Sequence, residues 1–390
     1  MAPASSTLAL WELQQQQIDR ALTQAEQLHQ SIAELLHAPT AEQLAITRAA
    51  WQQAVEAFEP LATIERLARK QPHPTWQALA NQFTQIAAWP SRLGYLDDNG
   101  IHGATGLIFD LDTPISAEEV RHQHQLTGDY DLTTGLYPIG QILMGYGANR
   151  DAEVFHVVAT LNDALRVKGF EHVQEVPSNR RRQLIELQST LLLEDIRLLS
   201  SLWQARQSNS PLNAFSQLPL EAQNEHLYNA AIDVVAGQLS ELHEQADLPV
   251  WQATEETAHA QTLRVTRWQA QLAGADQWLK ALGEDSAALQ ALQARLISIH
   301  ETSIAADSAS SASVSSEVAD AQPEDPSELN LDEIESTEGE VDVTQQSLEA
   351  SFAEAILALK PSNFSAEPVS NEEAEQSQTS GSTGSESGAQ

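Results

Sequence analysis

The chain has 390 residues, no cysteine and a formal net charge of −35. Without Cys, disulfides, thiolate catalysis and thiolate zinc sites are excluded together. An acidic surface repels phosphate backbones and anionic bilayers, so nucleic acid is not expected as a partner, and no apolar run is long enough to span a membrane.

The length admits two domains. The acid is unevenly placed: residues 301–390 carry 20 of the 55 acidic residues and one of the 20 basic ones. Residues 1–6 have neither a basic stretch nor an apolar one, so no secretory signal is expected there. Helical period then begins. Trp11, Ile18, Ala25 and Ile32 recur every seven residues, and Leu44, Trp51 and Phe58 repeat that spacing. Such stripes predict two helices packed antiparallel in a bundle. Pro39 and Thr40 separate them, and Thr40 with Gln43 forms a predicted capping box. Pro72, Pro74 and Thr75 break the chain before a third helix with Trp76, Leu79 and Phe83, which Pro90 ends.

Residues 90–134 are rich in Gly and Asp and lack apolar period. They read as an irregular link, with a short helix capped by Ser116 and Glu119. A loop of this length in a compact domain is usually functional or disordered. His122 and His124 lie in it. On a helix they face different sides; in an extended segment they share a side and can bind a metal, with Asp110, Asp112, Asp129 and Asp131 as oxygen donors. The plainer reading of these Asp residues is caps and turns.

The run Gly135-Leu-Tyr-Pro-Ile-Gly-Gln-Ile-Leu-Met-Gly145 follows. It resembles the signature of the imelysin-like family, in which Gly-x-His-x-x-Glu leads into a helix closed by apolar residues and Gly. Gly135, Ile139, Leu143 and Gly145 keep the frame. The family's His falls on Tyr137 and its Glu on Gly140. A His and a Glu three apart on a helix can share one metal ion, whereas a Tyr and a Gly cannot do so in that way. Two further stretches agree, in the family's order. Residues 38–42 with Arg48, Ala49, Ala50 and Trp51 are similar to its first loop and second helix. Ala88-Trp89-Pro90 with Gly94, Tyr95, Leu96 and Asp97 is similar to its Trp-Pro segment. The resemblance implies an all-helical fold of two related bundles, an envelope location in bacteria and a link to iron or haem uptake.

Helical period resumes with Val154, Val157, Val158, Leu161 and Leu165, and a long helix is predicted after Arg180, Arg181 and Arg182. More helices follow through Leu227 to Leu242, Trp251 to Leu282 and Leu289 to Ile299. The three Arg side chains either hold an anion near a helix start or offset the acidic body. Glu-x-x-His occurs at Glu26/His29, Glu34/His37, Glu153/His156 and Glu256/His259. Paired motifs of this kind build di-iron sites in bundles, but neighbours of this kind are also common surface pairs on helices. Glu153/His156 is the preferred metal pair, because it follows the link. The eight Trp read as core anchors. Beyond about residue 303 the composition is too polar to bury a core. One face there, with Leu348, Phe352, Ala355, Ile356 and Leu359, is amphipathic; it reads either as a short helix that docks on a groove of this chain or of a partner, or as a chance apolar cluster in a spacer.

The expected architecture is all-α. Residues 1–150 form one bundle including the link, residues 151–302 a second, and residues 303–390 a disordered acidic tail with a short helix at 345–360. By the resemblance, the expected function is non-catalytic binding in the periplasm or at the outer membrane, with iron or haem as the cofactor class and an envelope protein as partner. The ligand cleft would lie at the junction of the bundles, by Gly135, Tyr137, Ile139 and Gly140. A metallopeptidase-like or metal-handling enzyme using His122, His124, Glu153 and His156 is the alternative, and an interaction scaffold is a third.

Overall fold

The computed structural model describes residues 5–98, 105–145, 150–204, 210–246, 258–298 and 335–359. Among them every regular element is helical. The first apolar stripe lies on α1 (Ser5–His37) and the second on α2 (Ala41–Phe58). Trp11, Ile18, Ala25, Ile32, Leu44, Trp51 and Phe58 are all buried. The Thr40 hydroxyl accepts the Gln43 N–H at 3.1 Å, which starts α2 at the cap.

After Phe58 the chain does not continue straight. Pro60 cannot donate to an α-helical ladder, and Glu59–Leu61 tightens to one 3-10 turn before α3 (Ala62–Lys70). That turn carries the chain from one packing group to another. In the first group, α1 packs on α2 and on α8 (Pro177–Gln204), α4 (Pro74–Ala87) packs on α8, and α6 (Leu136–Met144) fits between α2 and α8. In the second, α3 lies against α10 (Leu220–Ala246) and α11 (Ala258–Leu282), while α13 (Glu335–Leu359) lies along α10. The 3-10 turn itself sits on α11. A Cβ on Gly274 would come within 2.3 Å of the Pro60 carbonyl oxygen, so only glycine lets α11 approach this closely. Packing partners therefore do not follow chain order: α8 returns to α1 and α4. One apolar core runs through both groups.

The remaining helices are short: α5 (Ala117–Gln123), α7 (Asp163–Val167), α9 (Pro211–Ser216) and α12, residues 287–298. Ser116 caps α5, accepting the Glu119 N–H at 3.2 Å. The helix expected from Val154 to Leu165 does not form. Ala152–Phe155 is a 3-10 turn, residues 156–162 are irregular, and Asn162 caps α7. Phe155 is buried but Val157 is 64% exposed, so the apolar spacing there marks no single face.

The three consecutive arginines are not at a free surface. They lie within the first turns of α8, which begins at Pro177. Successive helical residues point about 100° apart, and the three guanidiniums fasten three separate places. Arg180 donates to the carbonyls of Leu107, Ile108, Asp110 and Thr113 at 2.7–2.9 Å. Arg182 donates to the Leu36 and Phe155 carbonyls, both at 2.7 Å. Arg181 grips the Asp97 carboxylate with two bonds of 2.7 and 2.8 Å, and Arg150 pairs with the same carboxylate. The irregular link is thus stapled to α8 through buried charge.

In the tail, α13 begins earlier than the amphipathic pattern suggested, at Glu335. Leu348, Phe352 and Leu359 are buried, Ile356 is partly buried, and Phe352 meets Trp268 edge-on at 5.5 Å. The expected disorder of residues 303–334 and 360–390 lies outside the described residues.

Asp97 carries the first test. Burial acts to raise its carboxyl, but the hydrogen bonds and charges of Arg181 and Arg150 overcome this and hold it below its ordinary value. Asp97→Asn leaves two buried guanidiniums uncompensated, and a loss of about 3–5 kcal/mol is expected in urea unfolding. A folded-state value below the unfolded one means this stability is present above about pH 4 and lost as pH falls through the lower folded value. Acid unfolding followed by circular dichroism should therefore be steeper below about pH 4 for the native chain than for Asp97→Asn.

Candidate functional site

Where the chain crosses between the packing groups, a cleft of about 650 Å3 opens. The 3-10 turn, α3 and the end of α4 form one wall. Gly237, Ser240 and Glu241 of α10, with Arg267 and Gln271 of α11, form the other, and residues 125–130 of the link form the rim.

Its floor is a polar network set in an apolar surround. Glu59 is only 4% exposed. Tyr137 donates its hydroxyl to one Glu59 oxygen, and the Gln271 amide donates to the other at 2.6 Å. Burial raises the Glu59 carboxyl, and the positive charge of Arg267 with the two hydrogen bonds draws it partly back. Beside it, Glu241 accepts from Trp89 Nε1 at 2.8 Å and from Trp268 Nε1 at 3.1 Å, and pairs with Arg267. Burial acts to raise the Glu241 carboxyl, but the Arg267 charge, the hydrogen bonds of Arg267 and Trp268 and the Arg264 charge together overcome it and hold the group below its ordinary value. The Arg267 guanidinium lies 5.1 Å from the centre of the Trp89 ring, and Tyr137 meets that ring edge-on at 4.6 Å. These contacts fix the orientation of Trp89 and hold two carboxyls at the cleft floor, Glu59 raised and Glu241 lowered from their ordinary values. The network offers donors, acceptors and an aromatic edge to a bound molecule.

The signature residues lie directly behind this floor. Gly135, with φ of 98°, begins α6, and a Cβ there would come within 2.5 Å of the Ile86 carbonyl oxygen. Ile139 is fully buried in the core. Tyr137 is buried too and reaches the cleft through Glu59 and the Trp89 ring. Gly140 faces Trp51: a Cβ would lie 2.3 Å from the indole ring, so the indole occupies the space where the family's Glu would begin. Trp51 is held there by its own bond to the Leu136 carbonyl at 2.7 Å.

The sequence-derived metal candidates are not brought together. His122 is exposed, whereas His124 is buried and its Nδ1 accepts from the Thr133 and Thr134 backbone N–H groups at 3.3 Å. Burial lowers His124 and keeps it neutral. Glu153 and His156 lie exposed on the 3-10 turn and its end, with His156 Nε2 3.1 Å from the Pro39 carbonyl oxygen. Asp131 pairs with Arg92 at 3.0 Å. Among the described residues no three His, Asp or Glu side chains are grouped to hold a metal ion. Glu256 lies outside the described residues. Sequence reasoning missed Glu59, Glu241, Arg267 and Gln271. Glu59 left a faint signal, as an acid set among the apolar residues Phe58, Leu61 and Ile64 next to a proline.

The sequence profile of the imelysin family matches residues 15–355, most of the chain, and the chain belongs to this family. The match runs into α13. No curated protein matches the chain.

Two variants test the geometry. Gly→Ala inside a helix ordinarily stabilises by about 1 kcal/mol. At Gly140 the indole reverses the sign, and Gly140→Ala should cost about 1–3 kcal/mol in thermal or urea unfolding. Tyr137→Phe removes one donor from Glu59, at a cost of about 1–3 kcal/mol, and should move the Glu59 carboxyl higher still, read by carbon-13 NMR of the side chain. Because the folded value already lies above the unfolded one, the Glu59 contribution to stability falls as pH rises through that value. In Tyr137→Phe this fall should extend to higher pH.

Proposed function

We propose that the protein is a non-catalytic binding protein of the bacterial envelope, in the periplasm or at the outer membrane, that takes a ligand linked to iron or haem uptake into the cleft between its two packing groups. The observation that carries this reading is the cleft floor: Glu59, Tyr137, Gln271, Glu241, Arg267 and Trp89 form one fixed polar and aromatic surface. Its volume falls in the range of small-molecule sites. The positions that would carry the family's metal-binding pair hold Tyr137 and Gly140, and Trp51 fills the place of the missing Glu. A Tyr–Glu hydrogen bond is a recognition and positioning device here, since no nucleophile with an adjacent base is seen among the described lining residues.

Titration of the purified full chain with ferric iron and, separately, with haemin tests the reading. One equivalent should bind, and Trp89→Ala and Gln271→Ala should each weaken binding at least tenfold while the chain still folds. Binding that disappears in His122→Ala or His156→Ala and survives both cleft variants would favour a metal-handling enzyme with relocated ligands. Absence of binding by either titrant would defeat the proposal.

A further inference from the structure

The cleft wall carries three arginines, and they differ in how they are satisfied. Arg267 pairs with Glu241. Arg69 pairs with Glu65 at 2.7 Å and donates to Thr84. Arg66, one turn earlier on the same helix, lines the cleft and forms no hydrogen bond or ion pair with the described residues, and its Nε is buried. Two acids on these helices are engaged elsewhere: Glu65 by Arg69, and Asp233 by Lys70 at 2.5 Å.

The opposite wall is shaped around this group. A Cβ on Gly237 of α10 would come within 2.5 Å of Arg66 Nη2 and 2.9 Å of Cζ, so the guanidinium lies across the bare backbone of the glycine. The slot holds the head group in place without neutralising it. A partly buried guanidinium with five donors and no acceptor is costly to leave unsatisfied. Its planar fork matches a carboxylate, which it can hold by two parallel bonds. Phe83, Ala87 and Trp89 line the same cleft and offer an apolar surface for the body of such a ligand.

We infer that Arg66 is the anchor for the carboxylate of a small ligand in this cleft, with Gly237 as the residue that leaves room for it. This rests on the cleft reading above and specifies the chemical class of the ligand. The net charge of the chain does not oppose it, because charges farther than about 8 Å are largely screened at physiological salt, while a fork bond acts at contact.

Ligand-detected NMR on the full chain tests this with benzoate, a planar carboxylate with an apolar body, and with inorganic phosphate as comparison. Saturable binding of benzoate is expected. Arg66→Ala should weaken it at least tenfold, Arg66→Lys should retain part of it, and Gly237→Ala should weaken it by displacing the guanidinium. Circular dichroism melts of the variants check that each chain is folded. Benzoate binding that is absent, or unchanged in a folded Arg66→Ala, overturns the inference, as does tighter binding of phosphate than of benzoate. If iron or haemin still binds and depends on Trp89 and Gln271 while benzoate does not bind, the anchor is wrong and the cleft reading stands. If benzoate binds through Arg66 while neither iron nor haemin binds, the anchor stands and the link to iron fails.

Discussion

A carboxyl group 4% exposed to water has to be hydrogen-bonded, charged against a cation or neutral. Glu59 meets that constraint with a phenol from α6, an amide from α11 and the field of Arg267. The phenol comes from α6, and the amide and the guanidinium both come from α11. The carboxyl is therefore satisfied only when α2, α6 and α11 are all in their native places. Pro60 makes this demand local: it ends the α2 ladder at the residue after Glu59 and turns the chain toward the second packing group. Gly274 then lets α11 close over the turn. The cleft exists because the helix is broken here and because the partners of the break are polar.

The departure from the family signature follows the same logic. A His and a Glu on α6 would both have needed polar partners or a metal ion in this interior. Tyr137 needs one acceptor, which Glu59 supplies, and Gly140 needs none. Trp51 packs against Gly140 and donates its single N–H to the Leu136 carbonyl. The exchange leaves no cavity beside Gly140, since the indole lies closer than a Cβ could tolerate. A buried aromatic contributes through apolar area and packing, so at Gly140 the chain builds core while keeping the backbone frame of the signature.

Much of the helical scaffold was legible in the sequence. The stripe from Trp11 to Ile32 and the one from Leu44 to Phe58 are buried as spaced, and the Thr40 and Ser116 caps form. Tyr137 was legible as a neighbour of the site through its place in the signature. What failed had a common cause. Val154 to Leu165 carries apolar spacing without a surface to bury it against, so period alone misled. Glu59, Glu241 and Gln271 are distant in sequence and converge only through tertiary packing. Arg180 to Arg182 look like surface charge by composition, yet Arg180 and Arg181 find carbonyl and carboxylate partners in the link and Arg182 finds the Leu36 and Phe155 carbonyls. Nothing in a single sequence encodes those partners, because irregular backbone carries no period.

The link matters to the cleft through the rim. Residues 125–131 close on themselves: the Gln125 N–H donates to the Asp131 carbonyl at 2.7 Å, and its side chain donates to the Asp129 carbonyl at 2.9 Å. Arg92 holds this turn twice, by its N–H on the Tyr130 carbonyl at 2.8 Å and by its side chain on Asp131. Farther along, Arg180 and Asp97 tie the link to α8, and Arg121 adds a paired grip on Asp195 at 2.9 and 3.1 Å. A loop this long would ordinarily lose much entropy on ordering. Here the ordering is already accomplished by folding, through contacts that do not involve a ligand. The described rim residues are held by the chain's own contacts, so a ligand of the proposed cleft would give up its own freedom without having to order them as well. Irregular backbone tied down by arginine side chains, some buried and some exposed, is thus what shapes the rim of this cleft in an otherwise helical protein.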